Sequence, residues 1–270
     1  MPARTPRTLR PSSAEGDRAL VQRAIAFERE CLAIAAGQRR EHPLGLWTRN
    51  LAHPQMWTMN QLHVIGRHPT LTAPALMAEL DAELADARHR RAVLDDDATG
   101  RRLAEDFRAA GWLVSPLLVM LLDREPPEPP PGVACEVGED AMLALDEKIV
   151  GDDPELPELD RPVVLAGHVH MRKAVPRTRL FIGVRDGTPA SQATLFTDGR
   201  TGQPETVGTL SRHEGHGLAS AVVSLAAREA LAAGCDLVFI LCRADTGPVP
   251  LYAGLGFRAA GRYWAFTRPA

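Results

Sequence analysis

A glycine-rich run and a later tyrosine are the residues whose types and spacing could do chemistry. The run Glu214-Gly-His-Gly-Leu-Ala219 lies between a strand predicted over 205–210 and a helix predicted over 218–233. Glycines between a strand and a helix let the backbone approach a ligand closely, and the first amides of a helix have no partner within it. This junction can therefore bind an anion such as a pyrophosphate. Tyr252 follows a continuous apolar run, Cys235–Cys242, which is typical of a strand buried on both faces.

The order of these elements resembles a known family. This order is similar to that of the GNAT superfamily of N-acetyltransferases. It consists of a strand, a glycine loop, a helix, a buried strand and then the segment Leu251-Tyr252-Ala-Gly-Leu-Gly256-Phe257. The resemblance covers 133–268 and is strongest from Val207 to Phe257. It implies acetyl-coenzyme A, or another small acyl-coenzyme A, as cosubstrate and no metal. It also implies that the strand before the loop splays from its neighbour and pairs with the pantetheine arm.

The family's loop pattern, Arg/Gln-x-x-Gly-x-Gly/Ala, fits in two registers. One begins at Arg212, with Gly215 and Gly217 as its small residues. The other begins at Glu214, with Gly217 and Ala219, and is favoured because the family places its last small residue at the start of the helix. In that register a glutamate replaces the usual arginine, and its charge repels a pyrophosphate. The resemblance then assigns cofactor binding to Val207, Thr209, Leu210, Glu214, Gly215, His216, Gly217, Leu218, Ala219 and Asp245.

The resemblance also assigns catalytic roles. Tyr252 occupies the position of the family's general acid, where a phenol that is protonated at neutral pH donates to the leaving sulfur. An amide near Thr209–Leu210 would polarise the thioester carbonyl. Glu205 is the candidate general base by its location on the strand before the loop. An acceptor that arrives neutral, or loses its proton through water, would need no base.

Charge and composition bound the partners. The formal net charge is −3, which does not predict a nucleic-acid partner, and the longest apolar run is too short to span a membrane. The run 151–160 contains five acidic residues. The family resemblance implies that this loop borders the acceptor site, where it would favour a cationic amine of a small molecule or peptide. A solvated surface loop is the alternative. His213 and His216 lack a further ligand, so no metal site is predicted. A cytoplasmic protein is expected, and a homodimer is compatible with the sequence.

A proline-rich segment divides the chain. We predict an N-terminal domain over 1–125, a semi-rigid linker over 126–132 and the acetyltransferase domain over 133–270. A faint repeat relates the halves, because Thr99-Gly100 … Phe107 … Gly111-Trp112 matches the spacing around Tyr252. The first half has Gly66-Arg-His-Pro-Thr70 instead of the glycine loop, and Phe107 has no proton to donate. We therefore predict a degenerate GNAT-like first domain, as in tandem GNAT proteins.

The predicted fold class is α/β (α+β), with tandem GNAT-like domains that each have a mixed central sheet flanked by helices. A capping box at Ser12 and Glu15 predicts the start of the first helix. Asp186-Gly187 predicts a hairpin turn. The remaining predicted elements are helices over 73–87, 99–110, 139–150, from Pro162 and over 249–255, and strands over 46–51, 56–65, 91–94, 113–122, 133–137, 179–185, 192–196 and 263–267.

Two functions compete at this point. The first is an N-acyltransferase that acts by direct attack of an amine on acyl-coenzyme A. The alternative is a non-catalytic coenzyme A-binding or structural module, which the Glu214 substitution and the unresolved base favour.

Overall fold

The computed structural model describes residues 14–154, 156, 158–245 and 247–269. Within these residues the helices are α1 (Ala14–Ala36), α2 (Ala73–Glu83), α3 (Asp97–Ala109), α4 (Glu139–Asp152), α5 (Arg161–Ala174), α6 (Leu218–Ala232) and α7 (Val249–Gly254). The strands are β1 (Gln38–His42), β2 (Gly45–Arg49), β3 (Gln61–Val64), β4 (Arg90–Leu94), β5 (Leu113–Leu122), β6 (Ala134–Val137), β7 (Arg179–Arg185), β8 (Thr188–Thr197), β9 (Thr201–Thr209), β10 (Leu237–Arg243) and β11 (Phe257–Arg268).

The mixed α/β class is confirmed, with local differences. Strand β1 was not predicted, because its sequence Gln-Arg-Arg-Glu-His has no apolar face and most of it is exposed. The stretch predicted as one strand over 56–65 is a short 3₁₀ turn, Trp57–Met59, followed by β3. Ser12 of the predicted capping box lies outside the described residues. No helix of the described chain is long and apolar enough to cross a membrane.

The described chain forms two compact units, each made of separate segments. The N-unit contains Arg18–Val119, Cys242–Gly247 and Ala260 onwards. The C-unit contains the residues up to Asp17, Met120–Leu241 and Pro248–Ala259.

In the N-unit the strands lie in the order β1-β2-β3-β4-β11. Strand β3 is parallel to β4, and the other neighbours are antiparallel. The core is aromatic at the end of α3, where Phe107 is fully buried. Its ring stacks on Phe266 with centroids 4.3 Å apart and meets Trp112 edge-on at 5.0 Å.

In the C-unit the order is β6-β7-β8-β9-β10, antiparallel except for the parallel pair β9–β10. The hairpin between β7 and β8 turns at Asp186 and Gly187, whose φ angles of 51° and 76° suit a two-residue turn, as predicted. Helix α4 approaches β9 closely at Gly208, where a Cβ would lie 2.8 Å from Cγ2 of Ile149. Glycine at this position therefore lets α4 pack beside the end of β9.

Candidate functional site

The loop between β9 and α6 leaves the start of the helix without a side-chain cap. A short 3₁₀ turn, Ser211–His213, follows the strand, and Gly215 and Gly217 then take left-handed φ angles of 74° and 77°. Gly217 is the N-cap residue and offers no side chain to the first amides of α6. A Cβ at either glycine would meet no atom within 4 Å. The loop therefore leaves room for an anion at the start of α6.

Strand β9 separates from β10 along most of its length. In the described chain the parallel register joins only Leu237 to Thr201 and Val238 to Gly202, at the start of both strands. On its other side β9 stays paired with β8 as far as Thr209. The C-terminal part of β9 thus has an open edge toward β10, which is the splay that the family resemblance implied.

An irregularity in β9 sets the direction of its last amides. Thr206 has a φ of 51°, and the register with β8 shifts at this point. After the shift, the Leu210 amide donates to the Ala190 carbonyl at 2.9 Å. Hydrogen-bonded and non-hydrogen-bonded pairs alternate in an antiparallel ladder, so the amide of Thr209 points away from β8 to the open edge. Of the two amides predicted to polarise a carbonyl, Leu210 is engaged and Thr209 faces the opening.

A cleft of about 510 Å³ lies beside this end of β9. Three acidic residues line the cleft, and all of them are exposed: Asp152, Asp153 and Glu214. Asp152 Oδ2 accepts a hydrogen bond from the Ser211 amide at 2.6 Å, and this bond lowers the pKa of Asp152. The other lining residues are Ile149, Val150, Pro154, Leu156, Val164, His168, Gln192, Thr206, Val207, Gly208, Thr209 and Ser211.

A histidine and a buried aspartate meet at the wall of the cleft. Nδ1 of His168, on α5, lies 3.0 Å from Oδ1 of Asp146, on α4. Asp146 is fully buried and also accepts from Nη1 of Arg172 at 2.7 Å and from Nε2 of Gln192 at 2.8 Å. Burial would raise the pKa of Asp146, but the hydrogen bond with His168, followed by those from Arg172 and Gln192, outweighs this effect and lowers the pKa to about 2. The carboxylate is therefore ionised at neutral pH and holds the imidazole in place.

Sequence reasoning missed this pair, although two signals were present. His168 and Arg172 are four residues apart on a predicted helix, which places both side chains on one face. Asp146 is the buried acidic residue among the apolar positions of α4. A buried carboxylate needs hydrogen-bond donors, and this face of α5 supplies two of them.

The candidate base Glu205 lies on β9, four residues before Thr209. Its side chain is half-buried and accepts from Nε2 of Gln203 at 3.0 Å. Burial raises the pKa of Glu205, although the Gln203 hydrogen bond, the Thr206 backbone and nearby His168 act in the opposite direction. Glu205 is not among the residues that line the cleft.

The other predicted residues divide between the two units. Tyr252 lies on α7 of the C-unit, is 4% exposed and meets Phe257 edge-on at 6.3 Å. Asp245 lies in the N-unit segment and forms two hydrogen bonds of 3.1 Å with Arg243. Among the described residues, no group of three or more His, Cys, Asp or Glu could hold a metal ion.

Comparisons with known proteins agree with this geometry. Residues 147–257 match the model of the acetyltransferase (GNAT) family. No curated protein sequence gives a significant match. A solved GCN5-related N-acetyltransferase from Kribbella flavida is 20% identical, with 93% of this chain and 96% of that chain aligned at a TM-score of 0.63.

Two further solved structures share the fold. One is a functionally unknown conserved protein from Staphylococcus epidermidis, 11% identical, with 81% of this chain and 88% of that chain aligned at a TM-score of 0.62. The other is a GCN5-related N-acetyltransferase from Sphaerobacter thermophilus, 19% identical, with coverages of 70% and 65% and a TM-score of 0.50. At these identities the likeness concerns the fold, and the family model identifies the domain. The chain therefore carries, over residues 147–257, a domain of the GNAT acetyltransferase family.

Proposed function

We propose that this protein is an N-acyltransferase that transfers an acetyl or other small acyl group from acyl-coenzyme A to an amine. The observation that carries the proposal is the open edge of β9 directly before an uncapped glycine loop. A strand edge offers hydrogen bonds to an extended ligand arm, and a helix start offers amides to a phosphate. The two features follow each other along the chain, as a pantetheine arm and a pyrophosphate do in coenzyme A.

Acyl-coenzyme A fits these residues. The amides of Gly215–Ala219 would hold the pyrophosphate, with open space in front of both glycines. The backbone from Val207 to Leu210 would receive the pantetheine arm, with Thr209 at the open edge. The bound thioester would supply an activated acyl carbon.

The charge of the cleft favours a cationic acceptor. Asp152, Asp153 and Glu214 place three carboxylates around one opening. Their combined field attracts an ammonium group and raises its local concentration. We interpret Glu214 in this way, as part of the acceptor site, because its side chain lines the cleft. A primary amine on a small molecule or at a peptide end is the proposed acceptor.

Tyr252 is the proposed general acid. A phenol has an ordinary pKa of about 10 and so carries its proton at neutral pH. Tyr252 lies on α7 and is 4% exposed, and a positioned phenol of this kind can act as the proton donor in general acid catalysis. Tyr252 would give its proton to the sulfur as the carbon–sulfur bond breaks. Glu205 stays the base predicted from the sequence.

Binding of the cosubstrate is the first test. Acetyl-coenzyme A at 100 times its Kd should stabilise the protein by about 2.7 kcal/mol, which corresponds to a rise in Tm of roughly 5–10 °C. Calorimetry gives the affinity directly. No binding would support a purely structural module and would overturn the proposal.

Transfer is the second test. A panel of cationic acceptors (alkyl diamines, polyamines, aminoglycosides and short peptides) is incubated with acetyl-coenzyme A, and release of free thiol is followed. Tyr252→Phe should lower kcat by about 10²-fold or more while the binding affinity is kept. Tyr263→Phe is the matched control, because the only other tyrosine of the chain donates to Glu28 in the N-unit. Binding without transfer to any acceptor would support the non-catalytic alternative.

A further inference from the structure

We propose that His168 takes the proton of the acceptor amine and that Asp146 positions it for this step. The inference rests on the proposed acyltransferase function and names the base of that reaction. It starts from two observations, the 3.0 Å contact between Nδ1 of His168 and Oδ1 of Asp146 and the place of His168 in the cleft wall.

The contact fixes which ring nitrogen carries the hydrogen. An ionised carboxylate can only accept, so the proton of a neutral imidazole lies on Nδ1, between the ring and Asp146. The lone pair is then on Nε2. The side chain of His168 is 27% exposed, and among the described residues none forms a hydrogen bond with Nε2. A ring nitrogen that can accept a proton is therefore available from the cleft.

Two elements, α5 and β8, hold Asp146 so that this orientation is kept. Arg172 on α5 and Gln192 on β8 both donate to it, at 2.7 Å and 2.8 Å. Arg172 is held in turn by Glu139, whose Oε1 accepts from Nη2 at 3.0 Å. The carboxylate can therefore neither rotate away nor become protonated near neutral pH. This is the arrangement in which a carboxylate orients an imidazole for proton transfer.

The surroundings of His168 carry mostly negative charge. Asp146 faces it from α4, Glu205 from β9, and Arg172 lies on its own helix, where Glu139 pairs with it. Across the cleft lie the carboxylates Asp152, Asp153 and Glu214. This field stabilises both an arriving ammonium group and the imidazolium that forms when His168 takes its proton.

Glu205 is the competing base, and geometry favours His168. The Glu205 carboxylate is engaged by Gln203 and is not among the groups that line the cleft. His168 lines the cleft, and no described residue forms a hydrogen bond with its Nε2. An amine that enters the cleft can reach Nε2 without displacing an existing protein hydrogen bond.

The ammonium gives one proton to Nε2 of His168, and the resulting amine lone pair forms a bond to the thioester carbonyl carbon. The carbonyl electron pair moves to oxygen and returns as the carbon–sulfur bond breaks, and the sulfur receives the proton of Tyr252. The nitrogen then loses a second proton, which restores Tyr252 through solvent. His168 gives its proton to the water of the cleft.

The test compares two acceptors that differ in protonation. With the best cationic amine of the panel, His168→Gln should lower kcat/KM at pH 7 by about 10²-fold or more, because general base catalysis contributes this factor. With hydroxylamine, whose nitrogen is neutral at this pH, the loss should be less than tenfold after the uncatalysed rate is subtracted. His170→Gln is the matched control on the same helix and should keep the wild-type rates, and Glu205→Gln should lose less than His168→Gln.

A second variant tests Asp146. Asp146→Asn should shift the acidic limb of the pH profile of kcat/KM to lower pH, because an imidazole without a negative neighbour is harder to protonate. An equal loss at every pH would indicate a merely structural role and would overturn the role of Asp146. If this variant does not fold, the comparison of His168→Gln with His170→Gln still decides the role of His168.

The outcomes separate the two proposals. Wild-type protein that acetylates no amine of the panel overturns the proposed function and the inference that rests on it. Wild-type turnover that His168→Gln leaves unchanged overturns the inference alone. Equal losses of His168→Gln with both acceptors also overturn it, because a proton acceptor should matter only for the protonated amine.

Discussion

Each of the two units contains a strand followed by a loop and a helix, β3–α2 in the N-unit and β9–α6 in the C-unit. The two strands differ in how far they pair with the next parallel strand. In the N-unit, β3 and β4 are paired in parallel up to the end of β3, where Val64 meets Leu94. In the C-unit, β9 and β10 are paired only at their first residues and then separate. The edge of β9 is therefore open in the C-unit, whereas the edge of β3 is closed by the next strand in the N-unit.

The helix starts differ in the same way. Thr72 caps α2 through its own hydroxyl, which accepts from the Ala75 amide, and Pro74 has no amide to offer. Nη2 and Nη1 of Arg102 donate to the carbonyls of His68 and Leu71, so that a side chain covers the loop. The N-cap residue of α6 is Gly217, which has no side chain to cap the helix. In the N-unit, side chains therefore cover positions that stay open in the C-unit.

We expect Phe107 to be structural, whereas its counterpart Tyr252 is the proposed general acid. Phe107→Ala should lower the free energy of unfolding by about 3–5 kcal/mol, because it removes a fully buried ring from a stack with Phe266 and Trp112. Urea unfolding measures this loss. At temperatures where the variant is still folded, its Kd for acetyl-coenzyme A should equal that of the wild type. A weaker affinity in the variant would mean that the N-unit contributes to cofactor binding, which would contradict a purely structural role of Phe107.

Two buried aspartates provide a second contrast, in their pH dependence. Burial raises the pKa of Asp95, in the N-unit, to about 6, and the Arg29 ion pair at 2.6 Å only partly offsets this. Oδ1 of Asp95 has no hydrogen-bond partner among the described residues. Because the folded pKa lies above the unfolded value, stability that is present below about pH 4 is lost as the pH rises through 6. The full change corresponds to about 3 kcal/mol, at 1.36 kcal/mol for each pKa unit.

Asp95→Asn should therefore flatten the fall in unfolding free energy between pH 4 and 7, measured by urea unfolding at unit steps of pH. The contribution of Asp146 to the unfolding free energy changes with pH in the opposite direction, because the folded pKa of Asp146 is lowered to about 2. Its contribution is present above about pH 4 and is lost as the pH falls toward 2. Asp146→Asn should thus change the profile below pH 4 and leave the slope from 4 to 6 intact. A change in the same pH window for both variants would contradict the difference in hydrogen bonding.

Local patterns in the sequence were enough to predict most of the helices and strands and the position of the glycine loop. Apolar periodicity predicted α6, an aspartate near the N-cap and a proline in the first turn predicted the start of α5, and a dipeptide predicted the β7–β8 turn. These elements form from residues close in the chain. The pairing of Trp264 with Leu94 was not predictable in this way, since register between distant strands depends on the packing of the whole unit. Strand β1 was missed because an edge strand of polar residues has no apolar period.

The same distinction between local and long-range information applies to the residues of the candidate site. The loop residues are contiguous, so their spacing alone indicates a helix start that can bind an anion. His168 and Asp146 are 22 residues apart and on different helices, and their meeting depends on how α4 packs against α5. A single sequence shows the residue types and helical positions, but it does not show which faces meet. The base of the proposed reaction could therefore be inferred only from the structure.

The last prediction uses the two loops as each other's control. Gly217 and Gly66 have φ angles of 77° and 81°, and a Cβ at either position would meet no atom within 4 Å. Valine at either site should lower stability by a similar amount, about 1–2 kcal/mol, because a branched side chain disfavours left-handed backbone. Only Gly217→Val should weaken acetyl-coenzyme A binding, by about tenfold or more, which is about 1.4 kcal/mol and is measured by calorimetry. Equal affinities in the two variants would mean that the pyrophosphate does not lie at the start of α6, whereas a loss confined to Gly217→Val would locate the difference between the units in this loop.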